Sequence, residues 1–73
     1  MIRNFENLAS AIILKAVKDY RKALRTLSKH PLDPKAEGIR VSIEQFFRSE
    51  FFAALSSLDP QALIERLNRE VAG

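Results

Sequence analysis

The sequence predicts an all-α fold in which residues 1–73 form one domain, a small bundle of three principal helices plus a short fourth. Helix-favouring Ala, Leu, Lys, Arg and Glu are abundant, whereas the chain has only 2 Gly and 3 Pro. Apolar residues recur at steps of three and four, the period of a helix face. Because there is no cysteine, disulfides and thiolate sites are excluded, and stability depends on packing.

The first predicted helix covers about residues 5–29. Asn4 is the expected N-cap, and Pro31 ends the helix because it disfavours a helical conformation at His30. At 1.5 Å per residue the helix is about 37 Å long, which is long for so small a protein. Its apolar face consists of Phe5, Ala9, Ile13, Ala16, Val17, Tyr20, Leu24 and Leu27.

Two further helix starts share the tripeptide Leu-Asp-Pro, at residues 32–34 and 58–60. The aspartate can accept hydrogen bonds from free amides, and proline fits the first helical position. These starts predict helices over about residues 34–48 and 60–71. At the second start, Leu58 and Leu63 are spaced to form a hydrophobic staple.

The segment between these starts raises the question of what buries Phe52. On one continuous helix, Phe52 lies well off the broad apolar face. Either Ser49 caps a fresh short helix over about residues 50–57, or another molecule covers Phe52. We expect a break near Arg48 and Ser49, with Phe52 as functional surface. Core positions are predicted for the other three rings of this segment, Phe46, Phe47 and Phe51.

Positive charge is concentrated in the first helix. Residues 1–30 carry seven Lys/Arg against two Asp/Glu, and residues 31–73 carry five against seven. Cations spaced along one side of a rigid helix can neutralise nucleic-acid phosphates without reading bases. The alternative is an ordinary solvated helix face. The candidate nucleic-acid-binding residues are Lys15, Lys18, Arg21, Lys22, Arg25 and Lys29.

The apolar residues exceed what one short chain can cover. From Leu8 to Leu14 they point in nearly every direction around the helix, and such a segment is expected to be covered on all sides. We therefore expect self-association, with a homodimer favoured. The candidate interface residues are Leu8, Ile12, Leu14, Phe51, Phe52 and Leu55.

The sequence gives no sign of catalysis. His30 is the only histidine and lies in a predicted turn, and there is no phosphate-cradling glycine loop or metal-ligand spacing. Glu37 and Glu44 alternate with Arg40 and Arg48 in a pattern typical of surface ion pairs. We expect a protein that is not an enzyme and that uses no cofactor, metal or small-molecule substrate.

A membrane span is not expected. The longest uncharged stretch of the first half, Asn7 to Leu14, is far below the roughly 20 residues that cross a bilayer. Glu6 interrupts the region where a secretory signal would begin, so the expected compartment is the cytoplasm.

Three segments carry a resemblance to a known group of proteins. They are AVKDYRKAL at residues 16–24, FFRSEFF at 46–52, and LD at 58–59 followed by LI at 63–64. The chain resembles small helical proteins of prophages and integrative elements in Gram-positive bacteria. This resemblance implies an accessory protein that acts with nucleic acid.

Two functions from different classes are therefore expected. The first is a non-catalytic, self-associating protein-protein interaction module, in which the apolar surplus forms the contact. The second is a sequence-independent nucleic-acid-binding protein that uses the basic side of the first helix.

Overall fold

The computed structural model contains four helices and, within the residues described, no strand. They are α1 (Asn4–Lys29), α2 (Pro34–Phe47), α3 (Glu50–Leu55) and α4 (Pro60–Ala72). The structure describes the backbone of residues 4–72 and the side chains of residues 10–72, so the side chains of Phe5, Leu8 and Ala9 lie outside it. The predicted all-α bundle is confirmed, and each helix ends within two residues of its predicted boundary.

Both Leu-Asp-Pro tripeptides begin helices, as the sequence predicts. The Asp33 side chain accepts hydrogen bonds from two amides of the first turn of α2, at 3.0 and 3.1 Å. The Asp59 side chain accepts one from the first turn of α4, at 3.1 Å. Pro34 and Pro60 occupy the first helical positions, where a missing amide donor costs no hydrogen bond.

A tight turn joins α1 to α2. The His30 amide donates to the Thr26 carbonyl at 2.7 Å, and the Asp33 amide donates to the His30 carbonyl at 3.0 Å. Pro31 directly follows His30 and ends α1 at Lys29, as predicted. The turn reverses the chain direction, so α2 packs back along α1. Leu32, at the turn, is 93% exposed.

The predicted break between α2 and α3 is present, and Ser49 makes it. Ser49 has an extended backbone, with φ −81° and ψ 160°. Its hydroxyl accepts a hydrogen bond from the Phe52 amide at 3.2 Å and donates one to the Phe46 carbonyl at 2.6 Å. One side chain therefore closes the end of α2 and caps the start of α3. Extended backbone at Ser56 ends α3 two residues before the predicted limit.

The prediction that Phe52 is functional surface is wrong. Phe52 is 1% exposed and lies in the core, whereas Phe51, predicted both as a core ring and as an interface residue, is 56% exposed. The break at Ser49 is the physical reason, because it changes the direction of the chain and turns the Phe52 ring inward. Of the two explanations left open for Phe52, the structure supports the capped short helix.

The core is built around aromatic rings from α1, α2 and α3. Tyr20 and Phe47 are fully buried, and their ring centroids lie 5.7 Å apart in an edge-to-face arrangement. Phe47 and Phe52 meet in the same way at 5.4 Å. Such pairs add about 0.5–1.5 kcal/mol beyond the area they bury. The buried cluster as a whole consists of Tyr20, Leu24, Phe47, Phe52, Ile64 and Leu67.

Helix α1 is the long axis of the molecule. Its 26 residues span about 39 Å, and the molecule measures 43 × 22 × 21 Å. Helices α2 and α4 both pack on α1. Among the described residues, Ile13 is the first of α1 to pack against the core, while Ser10 and Ala11 before it are exposed. No helix in the described part of the chain is long and apolar enough to cross a bilayer.

Replacing Phe52 by Ala should destabilise the fold by about 3–5 kcal/mol, because it opens a cavity in the aromatic core. Phe51→Ala should cost less than about 1 kcal/mol, since that ring is largely in solvent. Urea unfolding followed by circular dichroism measures both, at the lowest practical protein concentration. Equal losses in the two variants would contradict the inward orientation of Phe52.

Candidate functional site

Four of the six predicted cations form an uninterrupted basic side of α1. Each of the four is exposed, and at 100° per residue they lie within about 60° of one another around the helix axis. None takes part in an ion pair within the described part of the chain. We call this surface the basic face; it consists of Lys18, Lys22, Arg25 and Lys29.

The other two predicted cations are paired with acids. The Lys15 ammonium lies 3.1 Å from Asp19 one turn later in α1. The Arg21 guanidinium lies 3.0 Å from Glu70 and links α1 to α4. Both pairs are largely exposed, so each contributes at most about 1 kcal/mol. The predicted stripe of six is therefore reduced to four cations without a described acidic partner.

An open cleft of about 530 Å³ adjoins the basic face, between α1 and the end of α4. Arg25 and Lys29 belong both to the basic face and to the cleft wall, and Ser28 adds a hydroxyl between them. Glu70 lies on the opposite wall beside Arg21. The α1 wall therefore carries three cations, of which Arg21 is paired with the carboxylate on the other wall.

A second surface follows the seam between α1 and α2. A groove of about 280 Å³ runs there, and we call it the α1–α2 groove. It is lined by Ile12, Lys15, Ala16, Asp19, Ser42, Ile43 and Phe46. Phe46 in turn contacts Phe51, with ring centroids 6.1 Å apart. Ile12 is 37% exposed and Phe51 56%, so the apolar surface continues from the groove onto α3.

The predicted interface residues occupy several places. Ile12 and Phe51 belong to the surface just described, and Leu55 is half-buried on α3. Leu14 is 65% exposed, but at 100° per residue it lies about 200° around α1 from Ile12, beside the basic face. Phe52 is core, and the side chain of Leu8 lies outside the described residues.

A polar junction that sequence reasoning missed lies at the edge of the core. The Tyr20 hydroxyl donates to Glu44 Oε2 at 2.6 Å and accepts from Asn68 Nδ2 at 2.9 Å. Asn68 Nδ2 also donates to the Ile64 carbonyl at 2.8 Å. One hydroxyl therefore joins α1, α2 and α4. The available signal was a tyrosine on an apolar helix face, whose hydroxyl requires a partner when the ring is buried.

The predicted pairing of Glu37 and Glu44 with arginines is confirmed, and it supports this junction. Arg40 donates to Glu37 and, at 2.8 Å, to Glu44 Oε2. Arg48 lies 3.6 Å from the same carboxylate. Only 16% of the Glu44 side chain is exposed, so its charge is held among cations and the Tyr20 hydroxyl rather than in open solvent.

These contacts shift the pKa values of three side chains, Tyr20, Glu37 and Arg40. Burial, together with the adjacent Glu44 carboxylate, raises the pKa of Tyr20 to about 12. The hydrogen bond from Arg40 lowers the pKa of Glu37, and the same pairing raises the pKa of Arg40. Tyr20 therefore stays a neutral hydrogen-bond donor, and Glu37 and Arg40 stay charged. These are the ionisation states of a structural network.

The predicted turn position of His30 is confirmed, and the side chain is exposed. Within the described residues, no group of three or more His, Asp or Glu side chains is arranged to hold a metal ion. The described part of the chain does present the basic face and the apolar surface that begins in the α1–α2 groove.

Comparison with known proteins adds no family assignment. No family model, curated protein or solved structure matches this chain. The resemblance to proteins of prophages and integrative elements stays a prediction from the sequence. Function is therefore inferred below from contacts, burial and charge.

Tyr20→Phe should lower the free energy of unfolding by about 1–2 kcal/mol, because it removes the hydroxyl that joins three helices. The loss stays moderate because Asn68 still donates to the Ile64 carbonyl and Glu44 still accepts a hydrogen bond from Arg40. Chemical denaturation measures the difference. A loss below the error of the measurement would show that the junction does not stabilise the fold.

The same variant isolates a pH effect. The pKa of Tyr20 rises from 10.0 to about 12 on folding, so the unfolded chain releases this proton at a lower pH than the folded chain. The stabilising contribution is complete below pH 10 and is lost as the pH rises towards 12. Wild type should therefore lose more stability than Tyr20→Phe over this interval. Because Tyr20 is the only tyrosine, its ultraviolet absorbance reports the titration directly.

Proposed function

We propose that this chain is a non-catalytic, self-associating helical interaction module whose partner is a second copy of itself. The observation that carries the proposal is the exposed apolar surface from Ile12 through Phe46 to Phe51. Exposed apolar residues that lie singly are ordinary, but a continuous patch at one place marks a contact surface.

The size of the core supports the same proposal. Among the described residues the buried core cluster has six members, and a 73-residue chain hides only about 60% of the surface of its unfolded form. Chains of this size commonly gain stability by oligomerisation when they lack disulfides or metals. Complete burial of one large apolar side chain contributes about 1.5–3 kcal/mol. Covering the exposed parts of Ile12 and Phe51 in two copies is therefore a significant gain.

The resemblance to small proteins of prophages and integrative elements suggests a setting for this module. In that setting, the self-associated form would be an accessory component of a mobile genetic element.

Phe51→Glu should shift the chain towards monomer while leaving its helical content unchanged, because it places a charge in the proposed contact but outside the core. Leu32→Glu is the matched control, since Leu32 is 93% exposed at the α1–α2 turn. Light scattering at tens of micromolar measures the mass, and circular dichroism measures folding. A monomeric wild type, or equal masses for wild type and Phe51→Glu, would overturn the proposal.

The basic face supports a second candidate function, sequence-independent binding of nucleic-acid phosphates. Four exposed cations rise about 16 Å along one rigid helix, and the described ion pairs do not include them. Each phosphate contact releases counterions, which drives association at low salt. The adjoining cleft offers Arg25 and Lys29 to a phosphate from the side.

If the basic face binds duplex DNA, affinity should fall steeply as salt rises, with a logarithmic slope of about −3 to −4 for four phosphate contacts. Replacing Lys18, Lys22 and Arg25 together by Glu should abolish binding. Fluorescence anisotropy with a labelled duplex over a salt series provides the measurement.

The charge-matched control replaces Lys35, Arg66 and Arg69 by Glu, three exposed cations outside α1. This control changes the net charge equally but keeps the basic face. Equal loss in both triple variants would indicate a response to net charge alone, and absence of binding at low salt would end the second candidate.

A further inference from the structure

We propose that the second copy docks in the α1–α2 groove with its own α1 antiparallel, so that Lys15 of each copy faces Asp19 of the other. This inference rests on the self-association proposed above and specifies the surface and the register. The groove is a shallow part of the apolar surface, and charges lie along its edge.

The shape of the groove suits side chains of a neighbouring helix. The groove is open and has a volume of about 280 Å³. Ile12, Ile43 and Phe46 supply the apolar lining, and Ala16 lies midway along the α1 edge. A small residue at this position lets another helix backbone approach closely. An amphipathic helix laid in such a groove is a common recognition mode.

The charges on the edge argue that the occupant is a second copy. A two-fold interface brings a surface patch against itself, so the patch must be self-complementary. Lys15 and Asp19 provide one charge of each sign, four residues apart on α1. With antiparallel helices and a two-fold axis that passes level with residue 17, on the side of α1 that carries Lys15 and Asp19, position 15 of one copy lies opposite position 19 of the other. Both cross-pairs are then attractive.

The basic face does not have this property. It presents four cations, and within its four positions there is no acid, so it repels a copy of itself. At 100° per residue, the centre of the basic face lies roughly 130° around α1 from Ile12 and Ala16. Docking in the groove therefore leaves Lys18, Arg25 and Lys29 open to solvent in both copies, whereas Lys22, about 20° around the helix from Lys15, lies at the border of the contact.

A charge-reversal and mixing experiment tests the register. Lys15→Asp gives a copy with two carboxylates on the groove edge, and Asp19→Lys gives a copy with two ammonium groups. Each variant alone faces like charges across the axis, and its self-association should weaken by about tenfold or more. In an equimolar mixture both cross-pairs are attractive again, so the two variants should form a heterodimer. Analytical ultracentrifugation of each variant and of the mixture provides the masses.

The matched control reverses one charge at a time in the exposed ion pair that joins α1 to α4. Arg21→Glu and Glu70→Lys change the net charge in the same way but lie outside the groove, at the contact between α1 and α4. These variants should associate like wild type and should show no preference for each other in a mixture. Circular dichroism of all four variants confirms that they are folded.

The outcomes separate the two proposals. A monomeric wild type would overturn self-association itself and the groove assignment with it. A dimeric wild type whose mass is unaffected by Lys15→Asp and Asp19→Lys would overturn the groove assignment and leave self-association standing. If each variant self-associates more weakly than wild type and the mixture does not restore the dimer, the antiparallel register is overturned. A restored dimer in the mixture supports the proposal.

Discussion

The structure depends on the burial of Tyr20 where α1, α2 and α4 meet. Its ring packs edge-to-face on Phe47, and its hydroxyl connects Glu44 and Asn68. A buried hydroxyl without a partner is costly, so the three helices are stable together only in the arrangement that brings both partners to it. Apolar packing alone permits helices to slide and rotate with little penalty. The directional bonds of Tyr20 therefore select one register from several that would bury a similar area.

The break at Ser49 determines which of the aromatic rings near this junction are buried and which are exposed. Consecutive residues of a helix lie 100° apart, so the orientation of α3 decides which of Phe51 and Phe52 turns fully into the core. By capping a new helix, Ser49 sets the direction in which α3 leaves α2, and this direction brings Phe52 inside. Phe51 is left largely in solvent, in contact with Phe46. Among the described residues, the exposure of Phe51 is thus a consequence of how the core is completed.

Helix α1 carries two different surfaces on different sides of one rigid helix. The side towards α2 carries a groove with an apolar lining and balanced charges, and another side carries four cations. Balanced charges permit contact with a copy, whereas charges of one sign favour a polyanion and disfavour a copy. The two proposed functions therefore do not compete for the same residues. An assembly formed through the groove would present the basic face twice and thereby increase its effective affinity for an extended anion.

The sequence by itself determined where the helices begin and end, because those signals are local. Asp and Pro at the two helix starts, Pro31 after α1 and Ser49 at the break act within a few residues of themselves. Tertiary structure alone decided that Phe52 is core and Phe51 surface, that Glu70 pairs with Arg21, and that Tyr20 joins three helices. The physical reason is that the direction in which a capped helix leaves its neighbour, and the side chain that meets a hydroxyl 48 residues away, depend on packing between distant segments. Helical periodicity carries no information about such contacts.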